Sequence, residues 1–321
     1  MLKISRKLLI SATGRNSPQT QRFVSKVNLQ GILPPITTPF NDDESVAYDK
    51  LSHNLNIWNS INFRGYVVQG SNGEFPYLTP DERVNVVKHV KKNIPDNKVL
   101  VAGSGCESTS ATIEMTMKMG DNGADAVLVV TPSFYKNQMN SQALMKHYVK
   151  VADASNMPVI LYSVPGNTGI NIPLEALAEL SQHPNIIGTK ESGGDVTRIG
   201  EIVRLTKQHD FQVIAGSAGF MYAAYVVGAV GGVCAVGNIL GKQVVDLHHM
   251  IMDGRWDDAR ELQHRLIAPN SAVTAKYGVP GLKTAMAWYG LYGGSPRYPL
   301  QQLTEPQVLD LRKILVDSGF L

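Results

Sequence analysis

Two polar side chains end apolar, β-branched runs in positions that suit carbonyl chemistry. Pro158, Val159, Ile160 and Leu161 lead into Tyr162, and Asn185, Ile186, Ile187, Gly188 and Thr189 lead into Lys190. Each run has the composition of a buried strand. The two polar residues are 28 positions apart, the length of one strand-helix unit, so a phenol and an amine are expected at the ends of adjacent strands about 4.8 Å apart. A lysine of ordinary pKa, about 10.4, is neutral in only about one molecule in 2,500 at pH 7, so a nucleophilic amine needs desolvation or nearby positive charge. Once neutral, it attacks a ketone to give an iminium, which withdraws electrons from the neighbouring carbon and lets the bond beyond it break. Tyr162 is the nearest group for the proton transfers. The bland reading is a lysine that snorkels or pairs with a carboxylate. Its place at a strand end argues for chemistry.

Three polar turns follow other apolar runs. Gly70, Ser71, Asn72, Gly73 and Glu74 form one, Ser192 to Asp195 a second, and Gly216 to Gly219, with Ser217, a third. Glycine-rich turns aim backbone N–H groups at anions. Such turns are also common loop chemistry, and their position after strands makes them a carboxylate or phosphate site. Other chemistries lack their residues. The eight histidines fall in no HExxH or HxH pairing, and no GxSxG elbow occurs, so neither a metal centre nor a serine hydrolase is expected.

The elements that must position these residues are legible as eight short apolar runs: Gly31–Ile36, Gly65–Gln69, Val99–Ala102, Ala126–Thr131, Pro158–Tyr162, Ile186–Lys190, Gln212–Ala215 and Gly231–Ala235. Longer stretches of helical period separate them, as in βα units. Thr79, Pro80 and Glu82 read as N-cap, N1 proline and capping-box acid, and Ser108 caps a run to Gly120. Eight units predict a (β/α)8 TIM barrel, whose active site lies at the C-terminal strand ends. A doubly wound sheet would place a Gly-rich dinucleotide loop after the first strand, whereas this chain has Pro34, Pro35, Ile36, Thr37, Thr38, Pro39 and Phe40 there. Helical patterns at Val244–Met252, Trp256–Ile267 and Pro306–Ser318 are expected as additional C-terminal helices (about 242–321) within one barrel domain spanning 28–321.

Composition is that of an ordinary globular protein: 321 residues, 43% hydrophobic, 18% charged. No apolar run is long enough to cross a bilayer, so no membrane partner is expected. Residues 1–27 hold six basic residues and no acidic one, leaving 24 basic against 27 acidic residues elsewhere. That balance gives no case for a nucleic-acid partner. The basic, acid-free segment 1–27 reads as a mitochondrial transit peptide, which predicts the mitochondrial matrix. Cys106 and Cys234 form neither a disulfide framework nor a metal knuckle.

The motifs resemble the pyruvate-dependent class I aldolase family of dihydrodipicolinate synthase and N-acetylneuraminate lyase. They are the Gly31 to Phe40 segment, the Gly70 to Glu74 turn, Thr131-Pro132 with an aromatic pair, Tyr162 followed by Val164-Pro165, and Lys190. The resemblance implies Lys190 as the Schiff-base lysine with no other cofactor and Tyr162 as the proton relay. It implies Ser71, Asn72 and Gly73 as the pyruvyl-carboxylate site, and a tyrosine of the Thr-Pro-aromatic loop, Phe134 or Tyr135, that completes a neighbouring subunit's relay in a homotetramer built from dimers. The synthases resemble Tyr-Asn-Val-Pro-x-Arg-Thr after strand five, whereas this chain has Tyr162, Ser163, Val164, Pro165, Gly166, Asn167 and Thr168. Without the arginine, and with the N-terminal segment, the sequence looks most like the mitochondrial 4-hydroxy-2-oxoglutarate aldolases. These release pyruvate and glyoxylate in hydroxyproline catabolism, with Ser192 holding the distal carboxylate and Gly216 and Ser217 lining the same mouth. The alternatives are a sialic acid lyase, an oxo-sugar-acid aldolase, a dihydrodipicolinate synthase, or a catalytically silent 2-oxo-acid-binding barrel.

Overall fold

The computed structural model describes residues 27–321, so the segment 1–27 read as a transit peptide lies almost wholly outside the described residues. Eight strands alternate with helices: β1 Gly31–Ile32, β2 Gly65–Val68, β3 Val99–Gly103, β4 Ala126–Val130, β5 Val159–Ser163, β6 Ile186–Glu191, β7 Gln212–Ala215 and β8 Gly231–Gly232. All pair in parallel, in the order β1-β8-β7-β6-β5-β4-β3-β2. The ring closes because Ile36 N–H donates to Val67 O (3.0 Å) and Val67 N–H donates to Pro34 O (3.0 Å). The fold is a TIM barrel, as the eight runs predict. β1 is shorter than expected because Pro34 and Pro35 have no N–H to give to a ladder, and β8 stops at Gly232 before a 3-10 turn at Ala235–Asn238.

The helices of the eight units are α1 Tyr48–Asn59, α2 Pro80–Asn93, α3 Thr109–Asp121, α4 Ser141–Ala154, the short α5 Pro165–Thr168 and α6 Leu174–Leu180, α7 Val196–Thr206, α8 Met221–Val226 and α9 Gly241–Met252. Beyond them come α10 Trp256–Ser271, α11 Gly278–Met286 and α12 Glu305–Asp317. The capping box expected at α2 forms, with Thr79 and Glu82 each bonded to the other's backbone N–H. Side chains alternate along the strands. Leu33, Val67, Val101, Leu128, Ile160, Tyr162 and Ile214 fill the barrel interior, while Tyr66, Val68, Leu100, Val127 and Val129 join the larger core under the helices.

One irregularity decides where Lys190 points. Val159 pairs with Ile186 but Ile160 pairs with Gly188, so β6 carries one extra residue at Ile187. After this slip Tyr162 faces Lys190. An unslipped ladder would set Tyr162 opposite Thr189 and turn the lysine into the helical layer, because a one-residue shift exchanges the faces of a strand.

Two buried histidines set an acid limit on the fold. His147 Nδ1 lies 3.0 Å from Thr109 Oγ1, and His248 Nδ1 lies 2.8 Å from Tyr225 Oη. Burial pushes both rings down to about 4 from 6.5. Since the folded values are depressed, the neutral rings favour the native state above pH 6.5, and that contribution is lost as pH falls towards about 4. Urea midpoints are expected to fall from about pH 7 to about pH 4.5, and less steeply in a His147→Gln/His248→Gln double variant.

Candidate active site

Tyr162 and Lys190 meet at the C-terminal end of the barrel. Both are buried, at 5% and 3% exposure, and Lys190 Nζ stands 3.9 Å from the centre of the Tyr162 ring. Tyr162 Oη is 3.4 Å from Ser71 Oγ, which brings the β2 turn into the same mouth. Burial pushes the phenol up, but the Lys190 charge and the Ser71 hydroxyl outweigh it and hold Tyr162 below its ordinary value. The phenolate is thereby easier to form, as a proton acceptor requires. Cys234 is close enough to feel the Lys190 charge, yet burial pushes its thiol up to about 12, so it is protonated and no rival nucleophile.

The turn after β2 is a 3-10 turn, Ser71–Gly73, bracketed by two left-handed non-glycine residues, Gln69 (φ 62°) and Glu74 (φ 55°). Gly73 N–H donates to Gly70 O and Glu74 N–H to Ser71 O. Gly73's amide is thus spent inside the turn, and those of Ser71 and Asn72 are the ones left for an anion. Thr38, which follows the Pro34–Pro35 pair, fixes the turn from below by donating to Gly73 O at 2.7 Å.

The other expected residues divide. Ser192 Oγ is buried and bears on the Tyr162 phenol, and it lies so close to Gly216 that a Cβ there would sit 1.9 Å from it. Gly216 is required by this approach, not by its backbone angles. Ser217 turns away towards α10, its hydroxyl accepting from Asn270 Nδ2 (2.9 Å) and from Gly219 N–H (3.3 Å). Phe134 and Tyr135 are 77% and 71% exposed and pack on each other, ring centres 5.0 Å apart. Tyr135 is therefore not part of its own chain's buried group. Glu107 holds their loop by accepting from the N–H groups of Ser133 and Phe134.

Sequence reasoning overlooked Thr38, Asn270 and the partners of Glu74. Glu191, beside the lysine, points outward and pairs with Arg198 at 3.2 Å; burial raises its carboxyl pKa against the pull of Arg198. A polar residue at a strand end facing the helices had no separate signal in the run of letters.

The sequence model of the Dihydrodipicolinate synthetase family matches residues 28–317. The chain is 34% identical over 294 residues to a 4-hydroxy-tetrahydrodipicolinate synthase of Methanothrix thermoacetophila, covering 91% of this chain and 98% of that one. Among solved structures it is similar to a dihydrodipicolinate synthase of Bacillus anthracis (TM-score 0.86, 29% identity, 91% of this chain and 99% of that one). It is also similar to a chloride-inhibited dihydrodipicolinate synthase of Acinetobacter baumannii complexed with pyruvate (TM-score 0.87, 28% identity, 92% and 100%).

These likenesses correct two expectations. Cleavage of 4-hydroxy-2-oxoglutarate to glyoxylate, and with it a place in hydroxyproline catabolism, is overturned by relatives from 29% to 34% identical that are named 4-hydroxy-tetrahydrodipicolinate synthase. The expectation rested on the N-terminal segment, on motifs the synthases share, and on the arginine missing at Asn167, which is exposed on the short α5. The loop around it has another cation at hand, since Lys136 Nζ lies 3.7 Å from where a Cβ on Gly169 would stand. The mitochondrial matrix is likewise withdrawn: the named relatives belong to archaea and bacteria, and residues 1–26, which suggested import, lie outside the described residues.

Proposed function

We propose, since this chain belongs to the dihydrodipicolinate synthetase family and is a carbon–carbon lyase of the class I aldolase type, that Lys190 joins pyruvate to a short aldehyde through a Schiff base. The observation that carries this reading is the buried Lys190 amine 3.9 Å above the Tyr162 ring, with Ser71 3.4 Å from the phenol.

The steps follow from those positions. The amine attacks C2 of pyruvate and water leaves, giving the iminium. The Tyr162 phenolate removes a C3 proton, and the electron pair flows to nitrogen as the enamine forms. C3 then attacks the aldehyde carbon, whose oxygen takes up a proton. Attack on C2 by water, or by an amine of the acceptor, releases the product and restores Lys190. Ser71 and Asn72 hold the pyruvyl carboxylate, and Ser192, whose hydroxyl bears on the Tyr162 phenol, lines the same mouth. The synthase reading is favoured over the sialic acid and sugar-acid aldolases by the relatives' names. Taking pyruvate out of the product in those names leaves a short amino-acid aldehyde, which carries a carboxylate. The test is sodium borohydride with pyruvate, which should add a stable mass to the peptide containing Lys190. No adduct there refutes the mechanism.

In this reading Lys136 supplies the positive charge that the synthases take from arginine at the Asn167 position. Lys136→Met is expected to raise the KM for a carboxylate-bearing aldehyde about five- to tenfold, the loss of one charge-assisted contact. Borohydride trapping of pyruvate should be unchanged. A KM that stays put would remove Lys136 from the acceptor site.

The assembly we propose is a homotetramer, a dimer of dimers, in which a second copy covers Phe134 and Tyr135. It is supported by the exposure of two adjacent aromatic rings on a loop whose backbone is held rigid by Glu107. Sedimentation should give the mass of four chains, falling to two when both rings are replaced by serine. A monomeric wild-type chain would exclude a cross-subunit role for Tyr135.

A further inference from the structure

Glu74 closes the carboxylate turn and is among the most buried charges of the protein, at 2% exposure. Its left-handed backbone is unusual for a residue with a side chain and persists only when its surroundings hold it. What holds it comes from far along the chain. Lys283, on α11 and 2% exposed, places Nζ 2.5 Å from Glu74 Oε1, and Arg297 N–H donates to Oε2 at 2.8 Å. Lys283 also donates to Ser295 O (3.2 Å). Its ammonium and the Arg297 guanidinium both stand 4.4 Å from the centre of the Phe40 ring. The Arg297 guanidinium then forks onto both oxygens of Glu82 (2.8 Å each) and donates to Tyr77 O (2.7 Å) and Glu44 O. A two-charge core is thus tied to the start of α2 on one side and to α11 on the other.

Two buried charges are costly to desolvate, and apolar residues of similar volume commonly do as well or better for stability. What an ion pair adds here is direction: it fixes the Glu74 carboxylate, and through it the backbone of Ser71 and Asn72 three and two residues upstream. We propose that Lys283 and Arg297 are positioning residues that aim the Ser71–Asn72 turn at the pyruvyl carboxylate, so that this C-terminal segment, outside the eight strand-helix units, sets the affinity for the 2-oxo acid. The inference rests on Ser71 and Asn72 being the carboxylate site. Neither Lys283 nor Arg297 touches substrate.

The test is borohydride trapping at Lys190, titrated with pyruvate and, in parallel, with methyl pyruvate, whose ester has no charge for the turn to read. Wild-type protein that traps neither ligand at Lys190 fails the Schiff-base reading itself, whatever the clamp does. A Glu74→Gln/Lys283→Met double variant removes both charges together and avoids leaving one stranded. It is expected to raise the half-saturating pyruvate concentration at least about tenfold, well within what a misplacement of about 1 Å costs, and to shift methyl pyruvate less than about twofold. Lys283→Arg, which keeps the charge, should recover most of the pyruvate response. Equal losses for both ligands, or no loss in a folded double variant, overturn the proposal. Should the double variant fail to fold, Glu74→Gln alone must show the same split in smaller measure, and its absence there also overturns the proposal.

Discussion

Lys190→Ala is expected to lower kcat by on the order of 10⁴-fold or more, the scale seen when a covalent nucleophile is removed, and to abolish borohydride labelling. No neighbour can take over. Cys234 is held protonated by burial, and Lys283 is tied to Glu74. The fold should survive, since alanine relieves the β6 strand of a buried polar group that only the Tyr162 ring and the mouth accommodate. The measurement is turnover with pyruvate and an aldehyde acceptor beside a thermal melt. An alanine variant that folds and still turns over would end the Schiff-base account.

Tyr162→Phe tests the other half. Phenylalanine keeps the ring within the barrel core formed by Leu128, Ile160 and Ile214, so stability should change little. Losing the hydroxyl should lower kcat about 10²- to 10⁴-fold, the usual contribution of a positioned acid or base. Trapping of pyruvate should be slower yet reach the same end point. The pH profile carries the sign. Because Lys190 and Ser71 hold the phenol below its ordinary value, wild-type kcat should rise with pH through a pKa lower than the usual 10, as phenolate replaces phenol. The phenylalanine variant should lose that limb, and a limb left in place would assign it to another group.

How much of this could be seen beforehand differs by the range of the interactions. Strands announce themselves through local periodicity, and all eight runs fall on strands, β2 to β7 within one residue at each end, while β1 and β8 end four and three residues early. Tyr162 and Lys190 were placed side by side by a spacing argument that needs only one βα unit. Contacts between residues far apart in sequence left no local trace. Glu74 and Lys283 are 209 positions apart, and Ser217 and Asn270 are 53 apart, so nothing in either neighbourhood foretold that Ser217 turns towards α10. The acceptor's identity was misjudged for a related reason. The strand-five loop does not stand alone, since Lys136 comes up against Gly169, two residues past Asn167, from the loop after β4.

The slip at Ile187 has a consequence for anyone who would redesign this barrel. Upstream of it β6 keeps step with the helical shell, and downstream it keeps step with the cavity, so the extra residue acts as a phase shifter between two halves of one strand. Forcing β6 into an unslipped register with every residue kept would silence the enzyme, because the amine would then be delivered to the oily exterior of the barrel, whereas deleting Ile187 itself would regularise the ladder and leave Lys190 opposite Tyr162.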